Sequence, residues 1–225
     1  MTSTNPPVGE PDTAPETALE TAPESRGEAA NQPSDLDALI AEARTLLAHR
    51  DSPEPDTFED PLAFIRNDHA RQMRMCNLLD AFTEKLEVEP VKPLASALLE
   101  YLTGDLPLHT QDEERDLRPA LEERCEPEDG LDEVLKQMTK EHELNRDLVS
   151  FMIEDLEALA DGRALSNPVR LLMNVKEFSE TQRQHVTWED RVLLPLARQR
   201  LTADDLAKIG GNMAARRDES DAETE

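Results

Sequence analysis

The sequence is poor in glycine and in aromatic residues. Its 225 residues include seven glycines, and only 3% are Phe, Trp or Tyr. Turn-dense β folds need more glycine, and β-sandwiches or barrels are usually richer in aromatic side chains, so both classes are disfavoured. Leu, Ala, Glu and Arg are abundant instead, and all four are good helix formers. We therefore expect an all-α fold.

Cysteines and long apolar runs are also scarce. The two cysteines, Cys76 and Cys125, lie far apart and form no C-x-x-C pair, which fits a reducing cytosol and no disulfide framework. The sequence has no run of 18 apolar residues, which is about the length needed to span a bilayer. The N-terminus also lacks the apolar stretch of a secretory signal. These features predict a cytoplasmic protein with no membrane partner.

Basic residues are outnumbered by acidic ones. The chain has 24 Lys and Arg against 50 Asp and Glu, which gives a formal net charge of −26. An acidic surface repels phosphate groups, so nucleic acid and anionic membranes are disfavoured as partners. We interpret the charge as a solubility feature and expect a monomer or a weak oligomer.

The composition divides the chain into four regions. The first is rich in Pro, Glu, Thr, Ala and Ser, and it cannot bury enough apolar area to offset the entropy of ordering. The predicted regions are a disordered acidic tail (1–34), a short helix and linker (35–57), a helical bundle (58–201), and a short helix with an acidic tail (202–225).

Four long helices are predicted within the bundle region. Apolar residues recur every three or four positions, as one helix face requires, over about 61–87, 91–123, 130–161 and 167–200. Short Pro- or Gly-containing breaks favour antiparallel neighbours, hence an up-down-up-down four-helix bundle. Pro107 is expected to kink or break the second helix. A last short helix is expected to end near Ile209, before Gly210 and Gly211.

Four of the five histidines fall on these apolar stripes, one on each long helix. These are His69, His109, His142 and His185, whereas His49 is expected at an exposed helix end. Glutamates follow two of them four residues later, at Glu113 and Glu189, and therefore lie on the same helix faces. Buried polar groups are costly unless they are satisfied, and a metal ion would pair the carboxylates and ligate the imidazoles.

These six donors are too many for one tetrahedral zinc. They suit two metal ions bridged by carboxylates, and nitrogen and oxygen ligands favour iron or manganese. The alternative is that each histidine is an ordinary satisfied core residue and each His–Glu pair a surface pair. Repetition of the pattern on all four helices favours the metal site.

Two segments resemble the signature segments of hemerythrin-like (HHE cation-binding) domains. They run from His109 to Pro119 and from His185 to Pro195, and each reads H-x-x-x-E followed by a leucine-containing stretch that ends in proline. The Asn67-Asp68-His69 and Glu141-His142-Glu143 segments resemble the other two histidine segments of the family. The resemblance covers about residues 58–200. It implies a di-iron site in which the two glutamates bridge the metals, with the ligands His69, His109, Glu113, His142, His185 and Glu189.

One residue departs from the pattern of oxygen-carrying hemerythrins. Those proteins have a fifth histidine one turn after the third, where this chain has Arg146. We expect that coordination position to be vacant, filled by water, or taken by Glu143 or Asp112. The ferritin-like alternative requires Glu-x-x-His on two helices. It is disfavoured because no glutamate stands three residues before any of the four histidines.

Three functions fit these observations. The favoured one is a metal-binding protein that holds two iron ions, with manganese or zinc as alternatives, and binds O2 or a related small ligand for sensing, storage or delivery. The second is a di-iron enzyme that acts on O2, peroxide or nitric oxide. The third is a metal-free interaction bundle. Of the first two functions, we expect a binding protein rather than an enzyme.

Overall fold

The structure is a computed structural model that describes residues 35–51, 58–86 and 91–222. The predicted tail at residues 1–34 lies outside these ranges, as do residues 52–57 of the predicted linker and the side chain of His49. The helical elements are α1 (Asp35–Asp51), α2 (Pro61–Thr83), α3 (Lys92–Glu100), π1 (Tyr101–Asp105), α4 (Leu106–Gln111), π2 (Asp112–Leu117), α5 (Arg118–Arg124), a 3₁₀ turn (Pro127–Asp129), α6 (Leu131–Ala160), α7 (Pro168–Arg191), α8 (Leu193–Arg200) and α9 (Ala203–Ala222).

The predicted all-α class is confirmed. Within the described ranges every regular element is helical, and none is a β-strand. α2 and α6 both pack against α7, and α3 packs against α6. No described helix combines the length and the apolar character needed to cross a membrane.

Polar caps and prolines define the starts of the helices that carry the site. α2 begins at Pro61, where the side chain of Asp60 accepts a hydrogen bond from the Ala63 N–H at 3.1 Å. α7 begins in the same way at Pro168, with Asn167 as its cap. A capping side chain satisfies a backbone donor that the helix leaves unpaired, and proline at the first turn loses no hydrogen bond. These caps fix where the site histidines fall along each helix.

The second long helix stays helical from Lys92 to Arg124 but widens twice, at π1 and π2. Pro107 and Pro119 each stand two residues after the end of a π segment. The residue before each proline donates its N–H to the carbonyl five residues back. Proline lacks an N–H, and its ring clashes with the carbonyl four residues back. The wider turn accommodates both effects. The disturbance expected at Pro107 therefore takes the form of a π segment, with no break in the helix.

The prediction of one continuous helix over residues 167–200 is wrong. α7 ends at Arg191, Val192 has φ −121° and ψ −61°, and α8 begins at Leu193. Pro195 provides the physical reason, because it lacks the N–H and its ring would clash with the carbonyl of Arg191.

The prediction that the last helix ends near Ile209 is also wrong. α9 continues through Gly210 and Gly211 to Ala222. Gly210 packs directly on the backbone of Phe58, and a Cβ at position 210 would lie 2.1 Å from the Phe58 carbonyl oxygen. The glycine therefore permits a close approach between α9 and the segment before α2, and it does not end the helix.

Two apolar clusters form the core. The larger contains Met75, Cys76 and Leu98, and the smaller contains Ile65 and Leu117. On each long helical stretch the site histidine falls between residues of the larger cluster and residues of the smaller one. The core therefore encloses a polar layer with apolar side chains above and below it.

Candidate metal centre

All six residues predicted as metal ligands lie together in this polar layer. None of them is more than 5% exposed. They come from four helical stretches: His69 from α2, His109 from α4 with Glu113 from π2, His142 from α6, and His185 with Glu189 from α7. One stripe position on each stretch thus contributes an imidazole to the same region.

The six side chains form two groups that share both glutamates. One group is His69, His109, Glu113 and Glu189, and the other is Glu113, His142, His185 and Glu189. In each group the four donor atoms lie within 4.8 Å of one another. With metal–ligand bonds of roughly 2.0–2.2 Å, donors on opposite sides of one ion are roughly 4.0–4.4 Å apart. Small side-chain movements would thus complete either group around an ion.

Glu113 stands between the two groups. Its Oε1 lies 3.5 Å from His69 Nε2 and 3.3 Å from His109 Nε2. Its Oε2 lies 3.2 Å from His142 Nε2. The two oxygens of one carboxylate therefore face different groups, as a bridging carboxylate requires.

Glu189 also faces both groups. Its Oε2 lies 3.2 Å from His69 Nε2 and 3.3 Å from His185 Nε2, and its Oε1 lies 3.9 Å from His142 Nε2. The centre is therefore built on two shared carboxylates with two imidazoles at each end.

The inward donor atoms are not satisfied by the protein. In the described part of the chain, the Nε2 atoms of His69, His109 and His142 and both carboxylate oxygens of Glu113 and Glu189 are buried without a hydrogen-bond partner. The contacts of 3.2–3.5 Å among them lack the alignment of hydrogen bonds. Buried polar atoms almost always have hydrogen-bond partners, so this concentration of unpaired nitrogen and oxygen atoms fits a site for cations.

The outward nitrogen of each histidine faces a second set of carboxylates. In all four cases a histidine Nδ1 lies 2.9 Å from a carboxylate oxygen. The pairs are His69 with Asp190, His109 with Asp68, His142 with Glu114, and His185 with Glu141. A carboxylate hydrogen-bonded to Nδ1, as in the His69, His142 and His185 pairs, keeps the proton on that nitrogen and leaves Nε2 free to ligate a metal.

These carboxylates strongly affect the ionisation of the histidines. Burial alone would lower the pKa of His69, but the carboxylates of Asp190, Glu113 and Glu189 raise it to about 12. Burial would likewise raise the pKa of Glu113, yet the neighbouring histidines hold it well below its ordinary value. Without a metal, the His69 imidazole is therefore protonated and the Glu113 carboxylate is ionised.

Residues 60–204 match the hemerythrin HHE cation-binding domain family, and this match covers more than half of the chain. The chain belongs to this family. It is also 27% identical over 166 residues to an uncharacterized protein of Haemophilus influenzae, and the aligned part covers 72% of this chain and 92% of that protein. No solved structure matches the chain significantly. The predicted hemerythrin-like resemblance is confirmed.

Two residues suggested as replacement ligands for this hemerythrin-family chain lie elsewhere. Glu143 is exposed on the outer face of α6. Asp112 is buried, but its carboxylate binds Arg216 and Arg217 of α9. Neither residue belongs to the two donor groups of the centre, so the suggestion that one of them occupies the position of the missing histidine is wrong.

Arg146 points away from the donor groups. Its guanidinium is exposed, and its Nη2 lies 3.5 Å from the Oε1 of Glu114, the carboxylate that also faces His142. The arginine therefore contacts an outer carboxylate of the site and contributes no ligand atom.

A pocket of about 310 Å³ opens beside three histidines of the centre, His109, His142 and His185. Asn145 lies deep in its wall, and the exposed side chains of Arg115 and Arg146 also line it. A water molecule occupies about 30 Å³ in the liquid, so the pocket has room for several molecules of that size. It provides a path for a small ligand from the surface to the histidines.

The four outer carboxylates were not predicted as functional residues from the sequence. Each stands directly beside a predicted ligand in the chain: Asp68 beside His69, Glu114 beside Glu113, Glu141 beside His142, and Asp190 beside Glu189. An acidic residue next to one predicted ligand on each of the four helical stretches was the available signal.

Proposed function

We propose that this hemerythrin-family protein binds two metal ions, most readily iron, between Glu113 and Glu189. In this proposal His69 and His109 complete one site, and His142 and His185 complete the other. The unpaired, buried donor atoms that converge from four helices are the observation that supports it best. Buried polar atoms without hydrogen-bond partners are costly, and cations would pair the carboxylates and ligate the imidazoles.

The proposed bundle has the up-down-up-down arrangement of four long helical stretches. Residue pairs support antiparallel neighbours, because partners that come later on one helix come earlier on the next. Along α6 and α7, Asp155 pairs with Arg170, Asn145 with Gln182, and Glu141 with His185. Along α2 and α7, His69 pairs with Asp190, and Gln72 with Gln182.

The donor set supports iron as the resident metal. Four imidazole nitrogens and two carboxylates suit iron or manganese, whereas structural zinc takes four ligands and is often bound by cysteine. Both cysteines of this chain are free, and Cys76 lies in the larger apolar cluster. Bound iron in such a site supplies reversible one-electron chemistry and an affinity for O2 and related small molecules.

The chain's own residues would prepare the site for this chemistry. The outer carboxylates hold each Nδ1–H so that Nε2 stays available, and the apolar clusters on both sides exclude bulk water. The pocket beside His109, His142 and His185 would admit a small ligand to the centre. We propose O2 or a related small ligand, bound for sensing, storage or delivery.

A second function is an enzyme that consumes O2, peroxide or nitric oxide. The observation that favours it is the pocket, together with Arg146 in place of a further histidine ligand, since both leave room for a substrate. Consumption of peroxide or O2 well beyond one equivalent per iron-loaded chain would identify the enzyme. Uptake that stops at one equivalent would identify the binding protein.

Metal stoichiometry tests the proposal. The full chain is loaded with Fe(II) without oxygen and desalted, and bound iron is measured by plasma mass spectrometry beside His109→Ala and His185→Ala. The wild type is expected to hold about two irons, and each variant fewer, because each loses an imidazole from a different group. His49→Ala serves as the control, since His49 is not a proposed ligand, and it should match the wild type. Little iron in the wild type would reject the proposal and favour a metal-free bundle.

A further inference from the structure

α9 reaches back to the helical segment that carries Glu113. The family match ends at residue 204, whereas α9 extends from Ala203 to Ala222. Almost all of this helix therefore lies outside the part of the chain that resembles the family. The helix nevertheless binds Asp112, which directly precedes the proposed bridging ligand Glu113 in the chain.

Arg217 makes the most buried of these contacts. It is 8% exposed, and its Nη1 and Nη2 donate to the two oxygens of Asp112 at 3.1 Å and 2.7 Å. Its guanidinium also lies 5.3 Å from the ring centre of Phe58 and 4.7 Å from that of Phe64. The fork geometry and the aromatic faces fix this arginine in one orientation.

Two further residues of α9 bind Asp116, near the C-terminal end of π2. Arg216 donates to Asp112, and its Nη2 donates to Asp116 Oδ2 at 2.5 Å. Asn212 donates to Asp116 Oδ1 at 2.7 Å. We call Asn212, Arg216 and Arg217 the C-terminal clasp.

The residues of π2 face three different surroundings. Asp112 and Asp116 face the C-terminal clasp, Glu113 faces both donor groups of the centre, and Glu114 lies 2.9 Å from His142 Nδ1. π turns are uncommon and mostly short, and besides Pro119 the contacts of Asp112 and Asp116 with α9 stabilise this one. Asp112 is fully buried, and a buried carboxylate without its cations would take up a proton or move toward water. Such a movement would displace Glu113, its neighbour in the chain.

We propose that the C-terminal clasp positions Glu113 and Glu114, so that Arg216 and Arg217 are positioning residues of the metal centre. This inference rests on the proposed metal function. The clasp holds π2 in the geometry that aims one carboxylate at both metal groups and the next at His142. α9 is thereby part of the metal site even though none of its residues is a ligand.

The test compares two arginine substitutions in the full-length protein. Arg216→Gln/Arg217→Gln removes the clasp charges. Arg170→Gln removes a matched ion pair with the buried Asp155, where Arg170 Nη2 lies 2.6 Å from Asp155 Oδ1, far along the chain from the clasp. Each protein is titrated with Co(II), whose visible absorption reports both affinity and coordination. Thermal unfolding of the metal-free proteins reports stability separately.

The clasp variant is expected to bind Co(II) at least about tenfold more weakly, with an altered absorption spectrum, as when outer residues of metal sites are lost. Arg170→Gln is expected to keep the wild-type affinity and spectrum even where it unfolds at a lower temperature. Arg216→Gln alone, a milder change at a half-buried residue, is expected to weaken binding several-fold. This variant keeps the test decisive if the double variant does not fold.

Two results would overturn the inference alone. One is wild-type affinity and spectrum in both clasp variants, and the other is an equal loss of affinity in Arg170→Gln. A wild-type chain that binds no Co(II) would instead overturn the proposed metal function, and the inference with it.

Discussion

The outer carboxylates link the four histidines into a closed ring around the centre. Asp68 of α2 faces His109, Glu114 of π2 faces His142, Glu141 of α6 faces His185, and Asp190 of α7 faces His69. Every helical stretch thus orients the imidazole of the next one. Displacement of one helix would disturb a histidine that another helix carries.

Loss of an outer carboxylate should weaken metal binding without removing a ligand. We expect Glu141→Gln and Asp190→Asn each to lower the affinity for Fe(II) by about 10–100-fold, because the paired imidazole loses the acceptor that fixes its Nδ1–H. Competition with a chelator measures the affinity, and nitrogen NMR of the imidazoles reports the tautomer. Glu143→Gln is the matched control, since Glu143 adjoins His142 but is exposed. Equal behaviour of Glu141→Gln and Glu143→Gln would contradict this assignment.

Metal binding should become stronger as the pH rises. Burial alone would lower the pKa of His109 and of His142, but nearby carboxylates, Glu113 above all, raise them to about 9 and about 10. A metal binds only the neutral imidazole, so these protons must leave on binding. We expect the affinity for Fe(II), measured without oxygen, to rise by about tenfold per pH unit for each displaced proton between about pH 6 and 8. An affinity that is constant or falls over this range would contradict the protonated site.

The sequence was sufficient to select the inward residues but not their outward partners. Helical periodicity carries His109 and Glu113 to one face regardless of what lies opposite, so both could be assigned from spacing. The pairing of Glu114 with His142 depends on how two helices rotate and slide against each other. No local pattern contains that information.

At the scale of single elements, Pro107 marked an irregular position correctly but did not specify its form, whereas the glycine pair predicted a helix end that does not occur. Pro107 signalled a disturbance that appears as π1, and Pro195 ended α7 inside a region predicted as one helix. The outcome at each proline depends on whether neighbouring contacts favour a wider turn or a break. The Gly210-Gly211 pair predicted a helix end because glycine has low helix propensity, yet tertiary packing continues α9 through it.

Substitution of the two adjacent glycines should have opposite effects on stability. In Gly210→Ala the new Cβ would lie 2.1 Å from the backbone oxygen of Phe58. We expect this overpacking to lower the free energy of unfolding by about 1–3 kcal/mol. Gly211→Ala is the matched control, because a Cβ there has no neighbour within 4 Å. It should raise the free energy of unfolding by up to about 1 kcal/mol through helix propensity.

Chemical denaturation of the metal-free proteins measures both values. Equal effects of the two substitutions would show that α9 does not pack on Phe58 in solution.

At the scale of the whole molecule, a polar layer separates two apolar clusters. The clusters were predictable as stripes of leucine, methionine and valine, and the layer as the points where histidine interrupts each stripe. The return of α9 to π2 was not predictable. Arg217 and Asp112 are 105 positions apart, and no pattern in the sequence predicts that they pair. The metal centre thus combines a part typical of the family with a helix outside the family match.

The location of metal in the loaded protein tests the central claim most directly. Anomalous diffraction at the iron absorption edge, from crystals of the iron-loaded full chain, shows where each ion lies. We expect two iron peaks between Glu113 and Glu189, about 3.5–4 Å apart as in other two-metal sites. One peak should lie beside His69 and His109, and the other beside His142 and His185. A single peak, or iron found only at acidic groups on the surface, would contradict the two-metal centre.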